Sequence, residues 1–397
     1  PIPNPQSPIP NPHIINKYII EIILMNKNSD KKEYEQKILD EKISTIIQQT
    51  KDNPSLNFIA LKLSNLQSIK VKSKIVGILD SILSKEIKYN LLLKQIFEGI
   101  PEDILSLRPL IWKICLNYLS LKPDEWLNIL NTNRTKYENN KKKIMKNLLR
   151  KKHKNKDPLI NNEYYIDDEL YSSIKKDILR TKANMNFVSM LTKNLETNAD
   201  VMNRILFIYA KLHPDVVYVQ GMNDLLAPLY YCFSIDNNPE NKNFVEADSY
   251  ITFEKLMDII KKIYIRVLDN EPGGVNYRLK EIDGLLKIID YELFLHLKNN
   301  EVKINFYGFR WMTLFFTQDF EMPDILRIWD SIFGNNDIFE FLYLLILATI
   351  ILKKEEIMKE KMSGIMMIIQ NLEDITVYDL INKAVQIRNE LSKKYIW

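Results

Sequence analysis

Two short polar islands interrupt an apolar, helix-patterned chain: Ile174-Lys175-Lys176-Asp177-Ile178-Leu179-Arg180-Thr181, and then Tyr218-Val219-Gln220-Gly221. The first offers a guanidinium, the second a carboxamide. In phosphoryl transfer an arginine can meet the charge that spreads over the γ-phosphate oxygens, and a glutamine can orient the attacking water; a slow GTPase lacks such groups. Lysine would replace the arginine poorly, because a point charge cannot make the planar bidentate contact.

As a helix, the first island has Leu170, Ile174 and Ile178 as an i, i+4 stripe facing the core, with Asp177 at its edge and Arg180 pointing outward. Asp177 stands three residues before Arg180, close enough for a carboxylate to hold the guanidinium in one orientation. The second island precedes a helix with Met222, Leu225, Leu226, Leu229 and Phe233 on one face, so Gln220 sits near a helix N-terminus. Gly221 permits positive φ or close backbone approach, and free N–H groups there would suit a phosphate-rich neighbour. Pro228 should kink this helix or break it. Alone, each island is ordinary: a surface Asp/Arg pair contributes only about 0.3–0.5 kcal/mol, and a glutamine before a glycine is usually a turn.

At 397 residues, 46% hydrophobic and 10% aromatic, the chain can bury one large core or two modest ones. Its 55 basic and 51 acidic residues leave a net charge of +4, which gives no global field for nucleic acid or an acidic substrate. The two cysteines, Cys115 and Cys232, lie in apolar helical stretches and favour a reducing compartment over a disulfide scaffold. His13, His153, His213 and His296 have no ligand spacing, and neither HExxH nor CxxC occurs, so no metal site is expected. The longest apolar run, Phe341 to Leu352, is bracketed by Glu340 and Lys353 and is shorter than the ~20 residues of a bilayer span. It reads as a buried helix. No basic start followed by an apolar stretch and a small-residue cleavage site opens the sequence, which starts without methionine, so secretion is unsupported and not excluded.

Six of the 16 prolines fall in the first twelve residues, in two PIPNP repeats, so residues 1–13 read as an extended tail or linker. Residues 14–95 carry helical patterns such as Ile75, Ile78, Leu79 and Ile82, and form a helical N-terminal extension. After Gly99-Ile100-Pro101 helical patterns continue to the C-terminus, and nine glycines leave little room for the turns of a large β-fold, so the expectation is an all-α chain. A main domain is placed at 96–397, its first half reaching about 335, where Gly334-Asn335-Asn336 is a clear helix stop, and its second half covering 336–397. The lysine-rich stretch from Lys141 to Lys156 reads as a solvated helix end and loop; lacking stacked aromatics, it is not expected to bind nucleic acid.

The ordered series of landmarks resembles the TBC-domain family of GTPase-activating proteins for Rab GTPases. It comprises Gly99-Ile100-Pro101, the RxxxW at Arg108 to Trp112, the IxxDxxR at Ile174 to Arg180 and the YxQG at Tyr218 to Gly221, then Met222-Asn223-Asp224, Glu246-Ala247-Asp248, Phe309-Arg310-Trp311 and Arg327-Ile328-Trp329-Asp330. The resemblance covers about 97 to 395. It implies the family's all-α fold, with Arg180 as an arginine finger and Gln220 as a glutamine finger inserted into the GTP site of a GTP-bound Rab. It further implies that Asp177 holds the arginine, that Tyr218, Gly221 and Thr181 support the two segments, and that Arg108, Trp112 and Asn223 are partner-surface or packing residues. Trp311, Trp329 and Asp330 read as core and capping residues. Tyr250 stands where the family usually has phenylalanine.

On this reading the chain has no cofactor of its own, because GTP and Mg2+ belong to the partner GTPase. It acts in the cytoplasm and transiently at endomembranes, reaching them peripherally through the Rab or an adaptor, and ends a signal in vesicle traffic. The alternative is a catalytically silent scaffold or Rab effector on the same fold; the presence of both Arg180 and Gln220 argues against it.

Overall fold

The computed structural model describes residues 28–152, 162–181 and 185–394. The proline-rich tail, together with Lys154 and Lys156 of the basic stretch, lies outside the described residues. Among these residues the chain is helical, its one β-bridge pairing Leu191 with Thr197.

The N-terminal extension folds into α1 (Asn28–Gln49), α2 (Pro54–Ser64), α3 (Ile69–Ile82) and α4 (Tyr89–Phe97). Local chemistry sets their starts: the Asn53 side chain accepts the Leu56 amide ahead of Pro54, and Ser68 accepts the Val71 amide. Ile75, Ile78, Leu79 and Ile82 are buried on one face of α3, as their spacing predicts.

The helices that frame the two islands follow: α5 (Leu107–Cys115), α6 (Trp126–Lys152), α7 (Asn162–Leu179), α8 (Asn198–Leu212), α9 (Met222–Ser234) and α10 (Val245–Ile260). α8 starts at a capping box, in which Thr197 accepts the Asp200 amide and Asp200 accepts the Thr197 amide. α8 packs against α7, α9 and α10, and α9 also touches α7. The C-terminal end of α7 and the N-terminal end of α9 are thereby neighbours. α9 runs through Pro228 as one helix, with Met222, Leu225, Leu226 and Leu229 fully buried.

Beyond lie α11 (Val275–Ile289), α12 (Tyr291–Asn299), α13 (Gly308–Leu314), α14 (Met322–Phe333), α15 (Ile338–Leu352), α16 (Met362–Gln370) and α17 (Val377–Lys393). Gly334 caps α14. The apolar run from Phe341 is inside α15, buried on nearly every side and packed along α17. No helix among the described residues is long and apolar enough to cross a membrane. One buried apolar cluster runs through the described chain from Leu39 to Leu391 and takes in both free cysteines.

Two buried carboxylates tie distant helices to this core. Asp330 accepts the Trp112 indole N–H at 2.9 Å, the Ile100 amide at 2.9 Å and the Arg108 Nε at 3.2 Å. Burial works against the Arg108 cation, but Asp330 more than offsets it and holds the guanidinium pKa above its ordinary value. Arg108 and Trp112 are buried, at 6% and 0% exposure, and both donate to Asp330. The RxxxW spacing places both on the face of α5 that meets Asp330. Asp330 sits within α14 as an acceptor hub and caps no helix end.

Candidate functional site

α7 ends at Leu179, and the chain turns immediately: the Arg180 and Thr181 amides donate to the carbonyls of Asp177 and Ile178, both at 3.0 Å. This tight turn swings Arg180 off the helix end into solvent while Ile174 and Ile178 stay fully buried and Thr181 is tucked inward. The Arg180 guanidinium makes no hydrogen bond or ion pair among the described residues, as its outward position on the stripe predicts.

The Asp177 carboxylate does not hold it, contrary to expectation. Asp177 Oδ2 accepts instead from the Tyr218 hydroxyl at 3.0 Å. The turn after Leu179 ends the helical i, i+3 register on which that expectation rested. Burial first, and then Asp177, push the Tyr218 phenol above its ordinary pKa, so it stays protonated and donates.

The second island is held between two left-handed residues, Val217 at φ 58° and Gly221 at φ 103°. The Val217 amide donates to the His213 carbonyl at 2.9 Å, closing the turn after α8. At Gly221 a Cβ would lie 2.7 Å from Leu314 Cδ2, so glycine is required there both for its φ and for its smallness. Between them, Tyr218 points inward to Asp177 and Gln220 is exposed. The Gln220 carboxamide has no hydrogen-bond partner among the described residues.

The start of α9 is not the open anion site that its position suggests. The Met222 amide donates to the Val219 carbonyl at 3.1 Å, the Asp224 amide to the Gly221 carbonyl at 3.0 Å and the Gly221 amide to Asn223 Oδ1 at 3.1 Å. With these amides already satisfied, what the site offers outward is its two side chains.

Asn223 is likewise buried. It is 3% exposed, and its Nδ2 donates to Thr181 Oγ1 at 2.8 Å and to the Asp177 carbonyl at 3.3 Å. Beside it Asp224 is buried; Oδ2 accepts from Gln318 Nε2 at 3.1 Å, and Oδ1 has no partner among the described residues. Burial pushes the Asp224 carboxyl up to about 6, with the nearby Asp177 charge adding to the effect. Sequence reasoning singled out neither the pairing of Asn223 nor the strain at Val217. A valine in the left-handed region leaves no signature in hydropathy, although the polar Asn223-Asp224 pair at the start of an otherwise apolar helix was a visible signal.

Leu179, within the first island, and Val217, just before the second, are 54% and 44% exposed. Apolar side chains beside two unbonded polar ones suit contact with another protein. Among the described residues no group of three or more His, Cys, Asp or Glu is placed to hold a metal ion.

A sequence model of the Rab-GTPase-TBC domain matches residues 105–358. The chain is 29% identical over 394 residues to TBC1 domain family member 13 of Homo sapiens, covering 80% of this chain and 98% of that protein. It is 25% identical over 300 residues to the GTPase-activating protein GYP1 of Saccharomyces cerevisiae, covering 72% of this chain and 42% of that one. Among solved structures, the Ypt/Rab-GAP domain of Gyp1p superposes with a TM-score of 0.65 at 23% identity, over 82% of this chain and 99% of that chain, a likeness of fold.

Proposed function

Because the chain belongs to the Rab-GTPase-TBC domain family, we propose that it accelerates GTP hydrolysis on a Rab-family GTPase by supplying Arg180 and Gln220 in trans. The observation that carries this reading is the pairing of two exposed side chains, unbonded among the described residues, on two neighbouring, tightly hydrogen-bonded turns. A side chain meant for a partner's active site needs a rigid base and no competing partner of its own.

Arg180 meets the charge that develops on the γ-phosphate oxygens, a contribution of about 10³–10⁵ in rate, or roughly 4–7 kcal/mol. Gln220 orients the attacking water. Tyr218, Asp177, Thr181 and Gly221 hold the two turns and touch no substrate. GTP and Mg2+ are bound by the GTP-loaded Rab, and this chain brings no nucleotide site. Leu179 and Val217 provide apolar contact beside the fingers. The action falls on membrane-attached Rabs and so on vesicle traffic, the chain reaching the membrane through its Rab partner.

Single-turnover GTP hydrolysis over a panel of GTP-loaded Rabs, with the native chain and its Arg180→Ala, Arg180→Lys and Gln220→Ala forms, tests this. Acceleration of one or a few Rabs that all three substitutions abolish or cut by orders of magnitude is expected. GTP-dependent binding to a Rab without any acceleration would replace the enzyme with an effector.

A further inference from the structure

One buried side chain joins the two turns through their backbones. The Asn223 amide has two donor and two acceptor positions, and three of them are used. On the donor side, Nδ2 holds the Asp177 carbonyl at 3.3 Å and Thr181 Oγ1 at 2.8 Å, both in the turn that carries Arg180. On the acceptor side, Oδ1 takes the Gly221 amide at 3.1 Å and lies 3.2 Å from the Tyr218 hydroxyl, both in the turn that carries Gln220.

The Asp177 carbonyl, among the last of α7, already accepts the Arg180 amide at 3.0 Å and takes Asn223 as a further donor, whereas the Gly221 amide at the start of α9 has Asn223 Oδ1 as its acceptor. A single carboxamide reaches both helix ends. The other link between the turns, Tyr218 to Asp177, is side chain to side chain and lies in half-buried surroundings. Asn223 lies beneath it, 3% exposed, where hydrogen bonds do not compete with water.

We infer that Asn223 is a positioning residue that sets Arg180 and Gln220 at a fixed separation, so that the two fingers enter a GTPase site as one rigid unit. This rests on the finger reading above. Its consequence is a loss confined to the chemical step: displacing a catalytic group by about 1 Å costs about 100-fold in rate, while the docking surface is left intact. It also makes the two polar ends of one amide separable. In Asn223→Asp the oxygen facing Gly221 and Tyr218 survives, whereas the donor toward Asp177 and Thr181 is replaced by an acceptor, so only the arginine turn is released. In Asn223→Ala both are released.

The test combines two readouts on the full chain. In the first, single-turnover hydrolysis on a responsive Rab is titrated with each variant; the maximal rate should fall by about 100-fold for Asn223→Ala, with the half-saturating concentration within about threefold of native. In the second, hydrogen–deuterium exchange is followed on the chain alone. Asn223→Ala should speed exchange in both 177–181 and 217–222, and Asn223→Asp chiefly in 177–181, with the remaining helices protected as before. Native turnover by Asn223→Ala overturns the inference, as does loss of protection throughout the chain, which would make Asn223 a general stability residue. Should the native chain accelerate no Rab, the finger reading fails. The exchange pattern then still decides whether Asn223 couples the two turns: joint local loosening upholds the coupling, and unchanged protection removes it.

Discussion

At the scale of single residues, exposure separates the two proposed fingers from the groups around them. Arg180 and Gln220 project without partners among the described residues, whereas Asp177, Tyr218, Thr181 and Asn223 spend their polar atoms on one another. Asp224 is the exception, a buried carboxylate with one oxygen unpaired among the described residues and its pKa raised to about 6. An acid raised in the folded state binds its proton more tightly there than in the unfolded chain. Its ionisation therefore destabilises the fold; the penalty is fully developed above about pH 6 and vanishes below the unfolded value near 4. Asp224→Asn should thus stabilise the chain by about 1–2 kcal/mol at pH 7.5, a gain that shrinks as pH falls from 6 to 4. Urea midpoints at pH 7.5, 6 and 4.5 check this, and a substitution that destabilises equally at all three would mean that the ionised form is the one the fold requires.

At the scale of elements, the glutamine turn depends on two left-handed residues with opposite tolerances. Val217 is half exposed and pays for its φ with strain, about 1–2 kcal/mol for an L-residue in this region. Glycine there relieves the strain but raises unfolded-state entropy by about 0.5–1 kcal/mol. Val217→Gly should therefore leave stability within about 0.5 kcal/mol of native or raise it slightly. Gly221→Ala meets both a φ of 103° and Leu314, and should cost about 1–3 kcal/mol; the proposed function further predicts slower hydrolysis, through the shift of Gln220. Thermal denaturation of the pair measures the contrast; equal losses would show that the turn is set by packing and not by φ. Of this turn the sequence made Gly221 and the following helix legible, because glycine and 3.6-residue periodicity are local signals. Val217 escaped because strain is imposed from outside, by the closure onto His213. Asn223 escaped because its partners at Asp177 and Thr181 lie 46 and 42 residues away, and only the packing of α7 on α9 brings them into reach. The helices themselves were readable from Ile174, Ile178 and the α9 stripe, since each buries its own face.

At the scale of the molecule, the platform that keeps α7 and α9 in register is fastened by buried charge as well as by apolar packing. Glu246-Ala247-Asp248, visible in the sequence only as a motif, places Glu246 against Arg204 at 2.7 Å and Asp248 against Arg134 at 2.7 Å. Asp248 also takes Lys113 and, at 2.9 Å, the Tyr118 hydroxyl, so it joins α5 and α6 to α10 across more than a hundred residues. Burial alone would raise its pKa, but Lys113 and Arg134 lower it further than burial raises it, and the carboxyl ends below its ordinary value. The stability it contributes is therefore present above the unfolded value near 4 and is lost as pH falls through the lower folded one. Asp248→Asn would leave two cations, Lys113 at 3% and Arg134 at 6% exposure, facing each other without an anion. The cost should be about 3–5 kcal/mol at pH 7, larger than that of Arg180→Ala, which as a surface change should stay within about 0.5 kcal/mol. Guanidinium denaturation of both variants at pH 7 measures the two, and comparable small losses would mean that the apolar core alone holds α5, α6 and α10 together. Since α10 packs on α8 and α9, the proposed function predicts that a chain weakened at Asp248 loses its stimulation of hydrolysis on warming at the temperature at which α9 melts, whereas Arg180→Ala is inactive at every temperature at which it is folded.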